Sequence, residues 1–110
     1  MQDEEFELNA IFHALSDSTR REVLDLLREA PNLKVGNIAK VFSMSLNGVS
    51  KHIKVLESAG LVKREVEGRD HYLSANLKAI RLAQGWLEKY YSFWSKRLDK
   101  MADIIEESKS

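Results

Sequence analysis

Apolar residues recur at helical spacing through the first half of the chain, alternate briefly, then return to a long helical period. Leu8, Ile11, Phe12 and Leu15 predict a first helix ending near Ser16. Asp17 is placed to cap a second, whose core face is Val23, Leu24 and Leu27 and which Arg28-Glu29-Ala30-Pro31 ends. Val35, Ile38, Ala39 and Phe42 give a short third helix, and Ser43-Met44-Ser45 is a turn of helix-turn-helix length. A fourth helix over 46–59 puts Leu46, Val49, Ile53 and Leu56 on one stripe, with Ser45 as its N-cap and Gly60 as its stop. After Gly60 the period becomes alternating. Residues 61–66 and 71–74 read as two strands around the turn Glu67-Gly68-Arg69-Asp70.

From 77 to about 107 there is no proline and the only glycine is Gly85. Ile80, Leu87, Trp94 and Met101 recur every seven residues, flanked by Ala83, Tyr90, Tyr91, Leu98, Ile104 and Ile105. A helix of roughly thirty residues extends on the order of 45 Å, more than a domain this small can cover. The seam therefore predicts a partner helix, and a second copy of the chain is the simplest partner. The expected fold is mainly α with a small β-hairpin. It is a winged helix-turn-helix with a long C-terminal dimerisation helix, one domain over 1–110 divided into a core at 12–75 and the helix at 77–107.

The face of the fourth helix opposite its apolar stripe carries Asn47, Ser50, Lys51, Lys54 and Ser58 and no acid. Amide, hydroxyl and ammonium groups in that arrangement suit a helix in a DNA major groove. Asn pairs bidentately with adenine, Lys donates to guanine, and Ser does either. Asn47, Ser50 and Lys51 are the candidates for base edges. Leu46 either touches a thymine methyl or packs. Gly48 costs about 1 kcal/mol against alanine inside a helix, which close approach to DNA would rationalise and drift would equally explain. Lys54, and Lys63, Arg64 and Arg69 on the hairpin, are assigned to phosphate or the minor groove, with Arg69 at the tip.

Charge complicates this picture. Seventeen basic residues balance seventeen acidic ones, for a formal net charge of zero. Two copies acting together, with their bases on one face, are needed for DNA affinity, and steep salt dependence follows. Cysteine is absent, which excludes disulfides and thiolate metal sites. The acidic N-terminus (Asp3, Glu4, Glu5, Glu7) is unlike a signal peptide, and no apolar run approaches a bilayer span. A cytoplasmic protein with no membrane partner is expected.

Two ordered segments resemble a known family. Ala14-Leu15-Ser16-Asp17-Ser18-Thr19-Arg20-Arg21-Glu22-Val23-Leu24 is similar to the opening of the ArsR family of bacterial winged-helix repressors. Val49-Ser50-Lys51-His52-Ile53-Lys54-Val55-Leu56, followed by Ala59-Gly60-Leu61-Val62, resembles its recognition segment, and Glu67-Gly68-Arg69 its wing. The likeness runs from about Phe12 to Leu73. Tyr90-Tyr91-Ser92-Phe93-Trp94-Ser95-Lys96-Arg97-Leu98-Asp99 resembles the C-terminal helix of one subgroup. The resemblance implies a homodimer paired through its first and last helices, binding an inverted-repeat operator on double-stranded DNA as a repressor. The dimerisation set is then Leu8, Ile11, Ile80, Leu87, Tyr90, Trp94, Leu98 and Met101. The family's metal sites do not carry over. The thiolate pair would fall near Val35 to Ile38, and the last helix holds no histidine.

No metal and no cofactor is expected. His13, His52 and His71 do not converge, and His52 matches a family position suited to a structural hydrogen bond. Arg20 is read as a structural ion pair ahead of a phosphate contact. Trp86, Tyr90, Tyr91, Phe93 and Trp94 are read as packing, with an apolar small-molecule effector pocket at the interface as the second reading. Two other function classes stay open. A winged-helix protein-interaction module that does not bind DNA fits the neutral charge. An enzyme has no Cys nucleophile, Gly-rich phosphate loop or paired His and carboxylate to support it.

Overall fold

The computed structural model describes residues 2–109, and the side chains of 7–108. Its elements run α1 (Gln2–Leu15), α2 (Ser18–Glu29), β1 (Leu33–Lys34), α3 (Val35–Phe42), α4 (Leu46–Ser58), β2 (Val62–Glu67), β3 (Asp70–Ala75) and α5 (Leu77–Lys109). Every helix expected from the periodicity is present.

Local chemistry sets the boundaries. Asp17 Oδ2 accepts from the Arg20 backbone N–H at 3.1 Å, and Ser45 Oγ from that of Gly48 at 3.1 Å, so α2 and α4 both begin on a side-chain cap. Helix α4 ends with Gly60 at φ 78°. There Gly60 N donates to Glu57 O and Leu61 N to Leu56 O, the paired bonds of a left-handed C-cap. Leu56 and Leu61, which that motif brings together, are both fully buried. Asn76 starts α5 by accepting from Lys78 N through Oδ1 while its own N–H reaches Leu61 O.

The core is shared among the first four helices, the sheet and the root of α5. Ile11, Val23, Leu27, Ile38, Val49, Ile53, Leu56, Leu61 and Leu73 are its largest fully buried side chains. Two arginines of α2 close the C-terminus of α1. Arg20 Nε donates to Ala14 O at 2.7 Å and Nη2 to His13 O at 3.1 Å, and Arg21 Nη1 donates to Leu15 O at 2.7 Å. Arg20 is therefore structural, but its chief partners are helix carbonyls rather than the acid an ion pair would supply.

The sheet departs from expectation. It has three strands in the order β1-β3-β2, where a two-stranded hairpin was expected. The third is two residues long, pairing Leu33 with Leu73 and Lys34 with Tyr72. Lys34 Nζ holds it with an ion pair to Asp70 at 3.4 Å and by lying over the Tyr72 ring. The paired β3 and the reversal at Asn32, with φ 63°, create β1 more than its own sequence does.

Helix α5 leaves this body behind. Its root packs on α1, with Phe12 edge-on to Trp86 at 5.8 Å between ring centroids. The molecule measures 70 × 33 × 20 Å, and α5, 33 residues or about 50 Å long, accounts for most of its length. No helix among the described residues is long and apolar enough to cross a membrane.

Candidate nucleic-acid interface

Helix α4 is oriented by its buried side. Val49, Ile53 and Leu56 are at most 1% exposed, which turns Asn47, Ser50, Lys51 and Lys54 outward; all four are exposed. Between Leu46 and Leu56 the helix carries no acidic residue, so the outward face is purely donor, amide and hydroxyl in character. Leu46 is not buried with the rest of the stripe. At 60% exposure it sits in the first turn, in angular line with buried Ile53 but left uncovered at that end of the helix. An exposed leucine beside Asn47 suits apolar contact with a thymine methyl.

The glycine two residues further on lies close to the cap. A Cβ at Gly48 would stand 3.3 Å from Met44 Cε and 3.3 Å from Ser45 Oγ, the atom that accepts the Gly48 N–H. Both atoms belong to side chains, and Met44 Cε is the end of a flexible one, so the fit is tight without by itself requiring glycine.

Behind α4, His52 Nδ1 is 3.5 Å from Arg20 Nη1 and 3.8 Å from Asp17 Oδ2. His52 thus links α4 to the α1–α2 junction, in keeping with a structural role. The backbone hydrogen bond from Arg20 holds the Asp17 carboxyl below the usual carboxylate range, helped by the charges of His52 and Arg20. Lys51 and Lys54 also border a groove of about 500 Å³ against α1, where His13 lines the opposite wall. His71 is on the wing, away from both other histidines along the fold.

The wing is the β2–β3 hairpin, turned by Gly68 at φ 63° and Arg69. Arg69 is exposed at the tip as expected, and Lys63 is exposed on β2. Arg64 differs. Its guanidinium forks onto Glu57, with Nη2 to Oε1 at 2.6 Å and Nε to Oε2 at 3.2 Å. That carboxylate raises the Arg64 pKa through the hydrogen bonds and its charge. Arg64, assigned to DNA from the sequence, is paired within its own chain in this structure.

The α5 seam stays uncovered. Ile80, Leu87, Tyr90, Trp94, Leu98 and Met101 are 38–60% exposed, and Phe12, Trp86, Tyr90 and Trp94 form a continuous ring ladder along it. Leu8 is half-buried on α1. Ile11, assigned to dimerisation, is 1% exposed and belongs to the core of its own protomer, because it faces α5 and α4 from the inner side of α1. An open cleft of about 320 Å³ lies at the root of the seam, lined by Leu15, Leu61, Ile80, Leu87 and Tyr91 among others. It holds one aromatic ring, Tyr91, and a second cleft of about 410 Å³ is lined by Leu8, Asn9, Phe12 and Trp86.

Residues 15–65 match a family model described as a helix-turn-helix domain. The chain is 32% identical over 80 residues, 73% of its length and 88% of the relative's, to the transcriptional repressor SdpR of Bacillus subtilis. Among solved structures, it superposes with a TM-score of 0.79 on an ArsR-like transcriptional regulator from a Rhodococcus species. That pair is 29% identical and covers 97% of each chain. A homodimeric winged helix-turn-helix DNA-binding domain from Mycobacterium bovis superposes with a TM-score of 0.63 at 26% identity, over 79% of this chain and 82% of that one.

Proposed function

From its membership of the ArsR family of winged helix-turn-helix transcriptional regulators, we propose that this chain is a homodimeric, sequence-specific DNA-binding repressor. One observation carries the reading: a capped helix, anchored by Val49, Ile53 and Leu56, holds Asn47, Ser50, Lys51 and Lys54 in solvent on an acid-free face. Residues 12–75 form the reading head, and 77–107 the dimerisation helix. Asn47, Ser50 and Lys51 meet base edges with Leu46 against a methyl group. Lys54, Lys63 and Arg69 take phosphates or the minor groove.

Pairing through the α5 seam gives the two heads twofold symmetry. They then address half-sites of an inverted repeat about 10 bp apart, centre to centre. Repression follows from occupying a promoter, in the cytoplasm and without catalysis. Pairing also resolves the charge problem, since a neutral chain presents two acid-free reading faces on one side of the dimer.

The test is selection of duplexes from a random pool, followed by binding titrations at several salt concentrations. Lys51→Ala is expected to flatten the salt slope by about one unit or to relax one base position. Asn47→Ala is expected to lose preference for one base pair by roughly tenfold or more. Unchanged affinity and preference in both variants would remove α4 as the reading element. Salt-independent behaviour of the wild-type chain would favour a protein-interaction module instead.

A further inference from the structure

The wing carries an arginine that DNA contact does not absorb. The register sets Arg64 opposite Leu73 and Val66 opposite His71. Arg64, Val66 and His71 therefore share the sheet face that starts with buried Val62 and Leu73. Past the core that face is turned to α4, and Arg64 reaches it. All three guanidinium nitrogens are occupied there: Nε and Nη2 by the two oxygens of Glu57, and Nη1 3.1 Å from Nδ1 of His71. Bidentate pairing fixes orientation as well as distance.

Glu57 has its own reason to hold the pair. It lies in the last turn of α4, where the helix carbonyls disfavour a carboxylate and no basic residue of the same turn offsets it. The side chains of Arg64 and Glu57 are 30% and 29% exposed, so solvent screens this contact less than it screens a rim pair. The bridge joins the far end of the reading helix to the middle of the first wing strand.

Resting on the DNA-binding reading above, we propose that Glu57 and Arg64 form a clamp that sets the angle of the wing to α4. Both act as positioning residues for recognition and neither contacts DNA. The wing cations that meet DNA are then Arg69 and Lys63. The clamp makes a prediction opposite in sign to simple electrostatics. Removing an acid near a polyanion should raise affinity, whereas loosening a clamp should lower it.

The experiment uses a duplex that the wild-type protein retains from a random pool, and four variants: Glu57→Gln, Arg64→Gln, the double variant carrying both, and the exchanged pair Glu57→Arg with Arg64→Glu. Circular dichroism confirms that each is folded. Each single substitution is expected to weaken binding by a similar factor, roughly threefold to tenfold, with the double no weaker than either. The salt slope stays at the wild-type value, and the exchanged pair recovers affinity. Hydrogen exchange of the free protein should quicken across 62–75 in Glu57→Gln and recover in the exchanged pair. Tighter binding by Glu57→Gln, or a slope lowered by about one in Arg64→Gln alone, overturns the clamp and returns Arg64 to the phosphates. A wild-type chain that retains no duplex overturns the DNA-binding reading instead. The exchange measurement then still decides the clamp, which unchanged rates in Glu57→Gln would refute.

Discussion

Substituting Leu98 by alanine separates the dimer seam from the fold that carries it. Leu98 is 60% exposed on a stretch of α5 beyond the body of the domain, so within one protomer it has little left to lose. Alanine is the strongest helix former, and α5 itself should not fray. Burying a leucine side chain fully contributes about 1.5–3 kcal/mol, and more than half of that is still to be gained when a partner covers it. Both copies lose it together, so the dimer is expected to weaken by about 2–3 kcal/mol, raising its dissociation constant roughly 30- to 150-fold. Sedimentation equilibrium over a dilution series reads this directly, with far-ultraviolet circular dichroism of the same samples as the fold control. An unchanged dissociation constant with unchanged helicity would refute the assignment of this seam to the dimer. Loss of helicity at a concentration where the wild type is monomeric would show that Leu98 supports its own chain instead.

Two further outcomes test the local chemistry. Ser45→Ala removes the oxygen that caps α4 and is expected to cost about 1 kcal/mol in urea unfolding, with m unchanged. A cost near zero would mean that water replaces the cap without penalty. The Asp17 carboxyl is held below its ordinary value in the folded state, first by the Arg20 backbone N–H. Its contribution is therefore complete above the unfolded value of about 3.9 and is lost as pH falls through the folded value. Urea midpoints measured from pH 6 down to pH 2 should fall less steeply at the acid end in Asp17→Asn than in the wild type, and identical profiles would remove Asp17 from the account.

What could be read from the chain divides by the range of the interaction involved. Caps at Asp17 and Ser45, the stop at Gly60 and the exposed face of α4 depend on residues a few positions apart, and all were visible as spacing. Strand β1 was not, because two residues cannot display an alternation and Leu33 is a strand only by virtue of Leu73, forty positions later in the fold's pairing. The pairing of Arg64 with Glu57 was not legible either, because the two meet only when the hairpin is folded back onto another element. The closeness of Met44 and Ser45 Oγ to Gly48 is likewise visible only once the turn is folded. Ile11 shows the same limit from the other side: an apolar stripe on α1 says that something covers it, and only packing says whether that is the same chain or a second one.

The strand order has a last consequence, concerning what the wing must avoid. With β1 laid along β3, only β2 keeps a long open edge, and four of its six residues are charged: Lys63, Arg64, Glu65 and Glu67. An unpaired edge is a template for another strand, and wings brought close together on adjacent operators would meet edge to edge. Charged side chains along β2 keep that edge hydrated, which disfavours the addition of a second strand. The hairpin can be crowded on DNA and remain a hairpin.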